Sequence, residues 1–552
     1  MIRRAALAAA ALAAAQAAAQ QPVVPPSADP GAIQQRQIEE ERRRREAERE
    51  RLKAIEPIKR DALEQPAAKP APESVRFLVR EIQFTPSEIL SAAELEAIAR
   101  DYRGRQLSLA DLQKLAERVN ALYKSKNVVT AQAVVPPQDV SDGVVRIRLI
   151  EGKLGKLRIE GNASTREGYI AGRLRLKPAE LIDLSRLEQS LTRFNRTNDA
   201  QLRAELKPGA DFATTDVIVG VTEPPRQELR LTLDDFGAPS TGRWREGVTY
   251  LNRSVLGFRD DLSLSVTQAD GQFSRAYSYG FPFNPWGGRI SLAYYKDETA
   301  IKHGPLETLK ITGLSQAQVL TIRQPLYVGA HAQLDALGGG KRRFSSNWID
   351  TVFLQRTETH DANLGLELQA FDDKSFWLAS YTLSAGRAKV LAETDYGIGR
   401  GALRYSRELG RGFSLRGNLS WQTTRQQGLP SSEQFFIGGE GSVRGYTVGT
   451  YVGDTGQTLS LELHHPLWKR ESQGRETSLT GFFFTDYGAV KPFLPPNSTL
   501  NPNPHLSSVG WGLNAAFGKH VYGRLTFGYG ITDVPGAPRH YDVLFQLVAS
   551  AF

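Results

Sequence analysis

Leu229-Arg-Leu-Thr-Leu-Asp234 alternates apolar with polar side chains, as do Leu262-Ser-Leu-Ser-Val-Thr267, Leu459-Ser-Leu-Glu-Leu-His464 and Arg524-Leu-Thr-Phe-Gly-Tyr529. Successive side chains of a strand point to opposite faces, so each segment has one oily face and one wet face. A β-sandwich uses the same alternation, but with shorter strands and about 100 residues per domain. Here the repeat is about 20 residues, room for a strand of ~10 residues plus a turn or loop. It runs from Arg226 to the aromatic terminus Phe552. That spacing predicts a membrane β-barrel of about sixteen antiparallel strands over residues 225–552, with lipid outside and water inside. A barrel of that size leaves an aqueous lumen unless something fills it.

The opposite end of the chain agrees with export. Met1-Ile-Arg-Arg4 is a basic head, Ala5 to Ala15 is almost wholly Ala and Leu, and Ala17-Ala18-Ala19 supplies small residues at A-x-A positions. This predicts a signal peptide over 1–19, cleaved after Ala19. No later run reaches the ~18 consecutive apolar residues of a spanning helix. A hydrophobic content of 40% and mean hydropathy of −0.36 exclude a helical membrane protein but not a barrel, half of whose strand residues face water. There is no cysteine, so no disulfide and no cysteine chemistry is available. Formal net charge is +9, or +7 without Arg3 and Arg4. No nucleic-acid signature accompanies it and the arginines are scattered, which points to a solvated basic interior and surface and no nucleic-acid partner.

Residues 31–55 centre on Ile38-Glu-Glu-Glu-Arg-Arg-Arg-Arg-Glu-Ala-Glu-Arg-Glu-Arg51. Glu39/Arg43, Glu40/Arg44 and Glu41/Arg45 stand at i,i+4 with the acid first, the better order for a helix. Such a helix has almost no oily stripe, so it stands in solvent or lies in a water-filled channel. Twenty-five helical residues span about 37 Å, enough to cross a barrel's apolar band. Residues 56–75 hold Pro57, Pro66, Pro70 and Pro72 and read as an extended linker.

Two modules of roughly 70 residues follow, over 76–151 and 152–224, each with the order β-α-α-β-β. Ser91-Ala-Ala-Glu94 and Ser185-Arg-Leu-Glu188 read as capping boxes, and Ser108 begins a helix with Leu109, Leu112, Leu115, Val119 and Leu122 on one face. Val128–Val135 is the candidate edge for strand addition in the first module.

Between strands expected at Phe413–Thr424 and Thr458–Leu467 lies a loop of about 30 residues without secondary structure of its own, a length typical of functional or disordered loops. It contains Gly438-Gly-Glu-Gly-Ser-Val443-Arg444-Gly445-Tyr446, whose glycines permit a hairpin folding back into the pore. One strand further on, Phe484-Thr-Asp486-Tyr-Gly488 places Asp486 at an inward position, where an ion pair with Arg444 would pin the loop tip to the wall. Catalytic signatures are not found. Gly510-Trp-Gly-Leu-Asn-Ala515 matches a dinucleotide fingerprint but lies in an alternating strand. Gly338-Gly-Gly-Lys341 lacks the rest of a phosphate loop. His464-His465 ends an expected strand with no third metal ligand in view. No enzyme activity, cofactor or metal is expected.

Val443-Arg444-Gly445-Tyr446 resembles the loop motif of the outer-membrane protein assembly and secretion superfamily, and Phe484-Thr-Asp486-Tyr-Gly488 resembles its companion on the barrel wall. The two modules resemble POTRA domains. Two of them behind a charged helix and a Pro-rich linker resemble one branch, the two-partner secretion transporters of the haemolysin and filamentous-haemagglutinin type. The resemblance covers nearly the whole mature chain. It implies an outer-membrane barrel with POTRA domains in the periplasm, and a charged helix that plugs the lumen at rest and leaves for transport. The implied partners are a large secreted exoprotein of β-helical type, outer-membrane lipid and the barrel assembly machinery. Phe552 would be the assembly signal. Net direction would come from the exoprotein folding outside. Arg444→Ala or Asp486→Ala is expected to leave an inserted barrel with poor secretion, and reversing both charges to recover part of it. Asp234-Asp235-Phe236-Gly237 departs from the family's first-strand pattern. Ser550 and Gln546 break the apolar alternation counted back from Phe552, which Val548 and Leu544 keep. Within the superfamily the alternative is an assembly factor, which carries more POTRA modules and lacks the leading helix. A passive porin has neither module nor motif pair.

Overall fold

The computed structural model describes residues 28–50, 58–59 and 76–551, apart from 127, 129–130, 212–213, 391, 473–474, 495–497 and 536–540. The expected signal peptide, residues 51–55 of the expected helix, most of the linker and Phe552 lie outside the described residues. The chain forms two compact units, one joining the N-terminal helix to residues 225–552 and one over 53–224.

Sixteen antiparallel strands close into a barrel, the first at Gln227–Asp234 and the last at Tyr541–Ala551. These two pair with each other over Leu229–Asp234 and Gln546–Ala551. Strand length runs from 8 residues in the first to 20 in the eighth, Val352–Phe371, so the expected uniform ten does not hold. A tilted strand crosses the apolar band with about ten residues, and the surplus of the long strands stands beyond it. Alternation sorts the faces as the sequence requires. Leu364, Phe483 and Trp511 are exposed on the outside, while Asp297, Asp335 and Glu367 are buried within. In the last strand Val543 and Leu547 face outward and Leu544 is buried. Gln546 and Ser550 share the parity of Leu544, so they belong to the lumen face, where polar side chains suit. They are not breaks in the oily face, which is carried by the odd-numbered positions.

Helix α1 (Pro30–Glu50) lies inside the barrel. Asp29 caps it, accepting Ala32 N–H at 3.0 Å, and Pro30 occupies the first helical position, where its missing N–H costs nothing. Residues 28–35 are buried and the following turns progressively less so.

In the second unit the first module carries α2 (Ala92–Arg100) and α3 (Leu109–Ser125), both opened by capping boxes, Ser91 with Glu94 and Ser108 with Asp111. Leu112, Leu115 and Val119 pack with Val145 and Ile147 of the sheet, whereas Leu109, expected on the same face, is exposed at the first turn of the helix. The sheet order is Glu81–Phe84, Val144–Glu151, Ala131–Val134, and a separate ladder, Arg76–Val79 with Arg105–Ser108, adds to the expected order. The second module carries α4 (Glu167–Leu174) and α5 (Leu184–Thr197). The cap of α5 is Asp183, accepting Arg186 N–H at 3.0 Å, not Ser185. Asp183 stands one residue before Leu184, and its carboxylate reaches the orphan N–H of the first turn. Leu187, Leu191 and Phe194 pack against Leu202, Val217 and Val219. Ile58–Lys59, from the linker, pairs in parallel with Ala204 and Glu205 at the edge of this sheet.

Each module ends on a glutamate that closes its own opening loop. Glu151 accepts Ser87 Oγ, Glu88 N–H at 2.8 Å and Tyr123 Oη at 2.8 Å. Glu223 accepts Ser164 N–H at 2.7 Å, Ser164 Oγ at 2.6 Å and Thr165 Oγ1.

Candidate functional site

The loop between the eleventh strand (Phe413–Thr424) and the twelfth (Thr455–Ser472) folds into the lumen. It has structure of its own, a 3-10 turn at Ser431–Glu433 and a small ladder of Phe435–Ile437 with Tyr451–Gly453. The expectation of an unstructured loop is corrected. A loop buried in a lumen has to pair its own backbone groups.

At its tip Arg444 is 3% exposed and Asp486 of the thirteenth strand (Arg475–Lys491) is 2%. The guanidinium grips the carboxylate with both forks, Nη2 to Oδ1 at 2.7 Å and Nε to Oδ2 at 2.8 Å, and Arg444 N–H donates to Oδ2 at 3.1 Å. Its remaining donors go to Glu462 and to Ser460 Oγ at 3.0 Å, and Cζ sits 3.6 Å above the Phe484 ring. Arginine is the residue that can serve all of these at once, since its fork is planar and rigid. The neighbours fix how near the tip comes to the wall. Gly445 has φ of +88°, and a Cβ there would lie 2.9 Å from Gly530 N. A Cβ on Gly488 would lie 2.8 Å from Val443, which is buried with Ile437, Tyr446, Val490 and Leu506. Tyr446 Oη accepts Thr532 N–H at 2.8 Å and stands 2.9 Å from the Ser507 and Thr532 carbonyls.

Glu462 is the second hub. Besides Arg444 it takes Arg524 Nη2 at 3.0 Å and His464 Nε2 at 2.8 Å. His464 is therefore a buried mid-strand partner of a carboxylate, and the expectation that it ends a strand is corrected. Among the described residues no cluster of ligand side chains fit for a metal ion occurs.

At the base of the loop Glu433 is fully buried under three cations, Lys341 at 2.7 Å, Arg400 at 3.0 Å and Arg343 at 3.2 Å. Arg343 also holds α1, donating to Gln34 Oε1 at 3.0 Å and Gln35 Oε1 at 2.8 Å. Gln34 Nε2 donates to Asp297 at 2.7 Å, Arg42 to Ser380 Oγ at 2.8 Å, and Arg43 to the Gly441 carbonyl at 2.7 Å. One basic wall thus grips both the loop and the helix. The helix fills the lumen through hydrogen bonds, not oily packing, and such contacts exchange readily with water.

The family model described as haemolysin secretion/activation protein ShlB/FhaC/HecB matches residues 213–515. The chain belongs to this family. Its first module, residues 77–152, matches the ShlB-type POTRA domain. The heme/hemopexin transporter protein HuxB of Haemophilus influenzae is 21% identical, over 80% of this chain and 81% of that one. The hemolysin transporter protein ShlB of Serratia marcescens is 25% identical, over 78% and 79%. The solved structure of CdiB from Escherichia coli shares the fold, with TM-score 0.66 and 20% identity over 96% of this chain and all of that one. As a member of the ShlB/FhaC/HecB family, the chain is an outer-membrane transporter of the two-partner secretion class, with its POTRA domains in the periplasm.

The structure brings Val443, Arg444, Gly445 and Tyr446 against Phe484, Asp486 and Gly488. Glu462 and Ser460 join the site beyond the expected residues, and the alternation Leu459-Ser-Leu-Glu-Leu-His464 puts both on the wet face. Glu433 gave no sequence signal, because its partners Lys341 and Arg343 lie about 90 residues away in strands whose register the alternation does not supply.

Proposed function

We propose that this chain takes a large secreted exoprotein, unfolded, from the periplasm and passes it through the barrel lumen once α1 has moved out. The observation that carries it is the stopper itself, a charged helix held in a wet lumen by hydrogen bonds. The POTRA modules hold the exoprotein by strand addition, where main-chain hydrogen bonds tolerate varied sequence. Ala131–Val134 offers an edge, being paired on one side by Val144–Glu151. The loop tip, clamped by Arg444 on Asp486, keeps the inner wall in shape during passage. Transport of this kind needs no bond-making step, and folding outside gives it direction.

The test exploits the absence of native cysteine. A Cβ on Gly31 would stand 3.1 Å from Ser432 Cβ, close to the reach of a disulfide. Gly31→Cys with Ser432→Cys, oxidised, is expected to give an inserted barrel that does not secrete, with secretion restored by reductant. Undiminished secretion with the bridge formed would end the proposal that α1 must leave.

A further inference from the structure

The outward face of the barrel changes character abruptly on its seventh to ninth strands, Ala332–Ile349, Val352–Phe371 and Ser375–Lys389. Read from the periplasmic end, the eighth strand presents Leu368, Leu366, Leu364 and Ala362 to lipid, then His360, Glu358 and Arg356. The ninth presents Tyr381, Leu383 and Ala385, then Arg387 and Lys389. The seventh turns from Gly338 and Gly340 to Arg342. Strand register sets these side by side, Arg342 opposite His360 and His360 opposite Arg387, with Glu358 opposite Lys389. Arg275 and Lys296 extend the patch on the fourth and fifth strands, Gln272–Pro282 and Arg289–Ala300.

The carboxylates in the patch are shared out. Glu358 takes Arg342 at 3.3 Å and His360 at 2.8 Å, Asp395 takes Arg387 at 2.7 Å, Glu393, in register with Lys389, takes Arg387 at 3.7 Å, and Glu298 takes both Arg275 and Lys296. Among the described residues neither Arg356 nor Lys389 has a carboxylate within salt-bridge distance. The two are diagonal cross-strand neighbours, ~7–8 Å apart by strand geometry. Arg356 is held in place by the Phe344 ring, 5.0 Å from its Cζ, with Arg342 on the same ring at 4.5 Å. The patch is one-sided. At the same end of strands eleven to sixteen, the lysines and arginines among the described outward positions are Lys491 and, one residue past the eleventh strand, Arg425.

We propose that this patch is a binding site for the phosphorylated glycolipid of the outer leaflet. Arg356 and Lys389 would grip a phosphate, and the acyl chains would lie along Leu364 and Leu366. Arg356 stands three outward positions beyond Ala362 and Lys389 two beyond Ala385, past the apolar run of their own strands and on the headgroup side of it. Arginine and lysine suit phosphate by charge and by donor geometry. Cations near an anionic lipid surface contribute enough that each one removed weakens binding ~5-fold.

The test uses the full-length barrel in neutral detergent, with bis-phosphorylated lipid A and its dephosphorylated form as probes, read by native mass spectrometry. Wild type is expected to prefer the phosphorylated lipid at least tenfold. Arg356→Gln with Lys389→Gln should lose ~25-fold of that binding, Arg356→Lys with Lys389→Arg should keep most of it, and Lys491→Gln should change little. Equal binding of the two lipids by wild type would overturn the proposal. So would an unchanged double glutamine variant, or an equal loss on Lys491→Gln.

Discussion

Arg444 and Asp486 do not carry equal weight. Removing Arg444 strips the buried Asp486 of its cation, whereas removing Asp486 leaves Arg444 still paired with Glu462 and Ser460. An uncompensated buried charge costs about 3–5 kcal/mol, against ~1–3 kcal/mol for a lost partner in a surviving network. Arg444→Ala is therefore expected to free the loop tip and reduce secretion more than Asp486→Asn, checked by protease access to the loop and by secreted yield in the same strains. The structure also revises what the double reversal should do. An aspartate at 444 would face Glu462, so Arg444→Asp with Asp486→Arg is expected to recover little. Legibility at this scale followed face assignment. Alternation exposed Asp486 as an inward carboxylate and the glycines marked where the tip approaches the wall. The triple contact of Glu433 depends on register and stayed hidden.

Among the elements, α1 shows the limit of pattern reading most clearly. Its i,i+4 pairs announce a helix, but a helix without an oily stripe names no neighbour, and only the barrel around it supplies one. Its described side chains are most buried in the first turns, with Arg42 and Arg43 tied further along. Gln34 alone joins Asp297, the Ser315 carbonyl at 3.3 Å, Ser315 Oγ at 3.1 Å and Arg343. Gln34→Leu would leave a buried carboxylate and guanidinium short of partners, a loss of about 3 kcal/mol. The helix is then expected to leave the lumen roughly 100-fold more often. Single-channel recording in planar bilayers should show longer open dwell times with unaltered open conductance. Unchanged dwell times would locate the hold elsewhere along the helix.

For the molecule as a whole, the periplasmic unit carries carboxylates whose charged form the fold stabilises, which makes it acid-sensitive. Lys126, hydrogen-bonded to Glu94, and then the Ser91 N–H, hold the Glu94 carboxyl at about 2 against an ordinary 4.5. Ser108 lowers Asp111 and Arg118 lowers Asp101 in the same direction. A folded-state value below the unfolded one means the stability is present above about 4.5 and is lost as pH falls toward 2. The melting temperature of residues 53–224 should drop over that window, and less steeply in Lys126→Ala. Barrel class, strand number and tandem modules were legible because alternation and repetition are properties of the sequence itself. Strand length was not, since how far a strand overruns the bilayer leaves no period to count. Glu151 and Glu223 carry a last implication. A module whose final carboxylate latches its own entrance closes on itself, so chain cleavage at the Glu151-Gly152 junction would leave both latches whole.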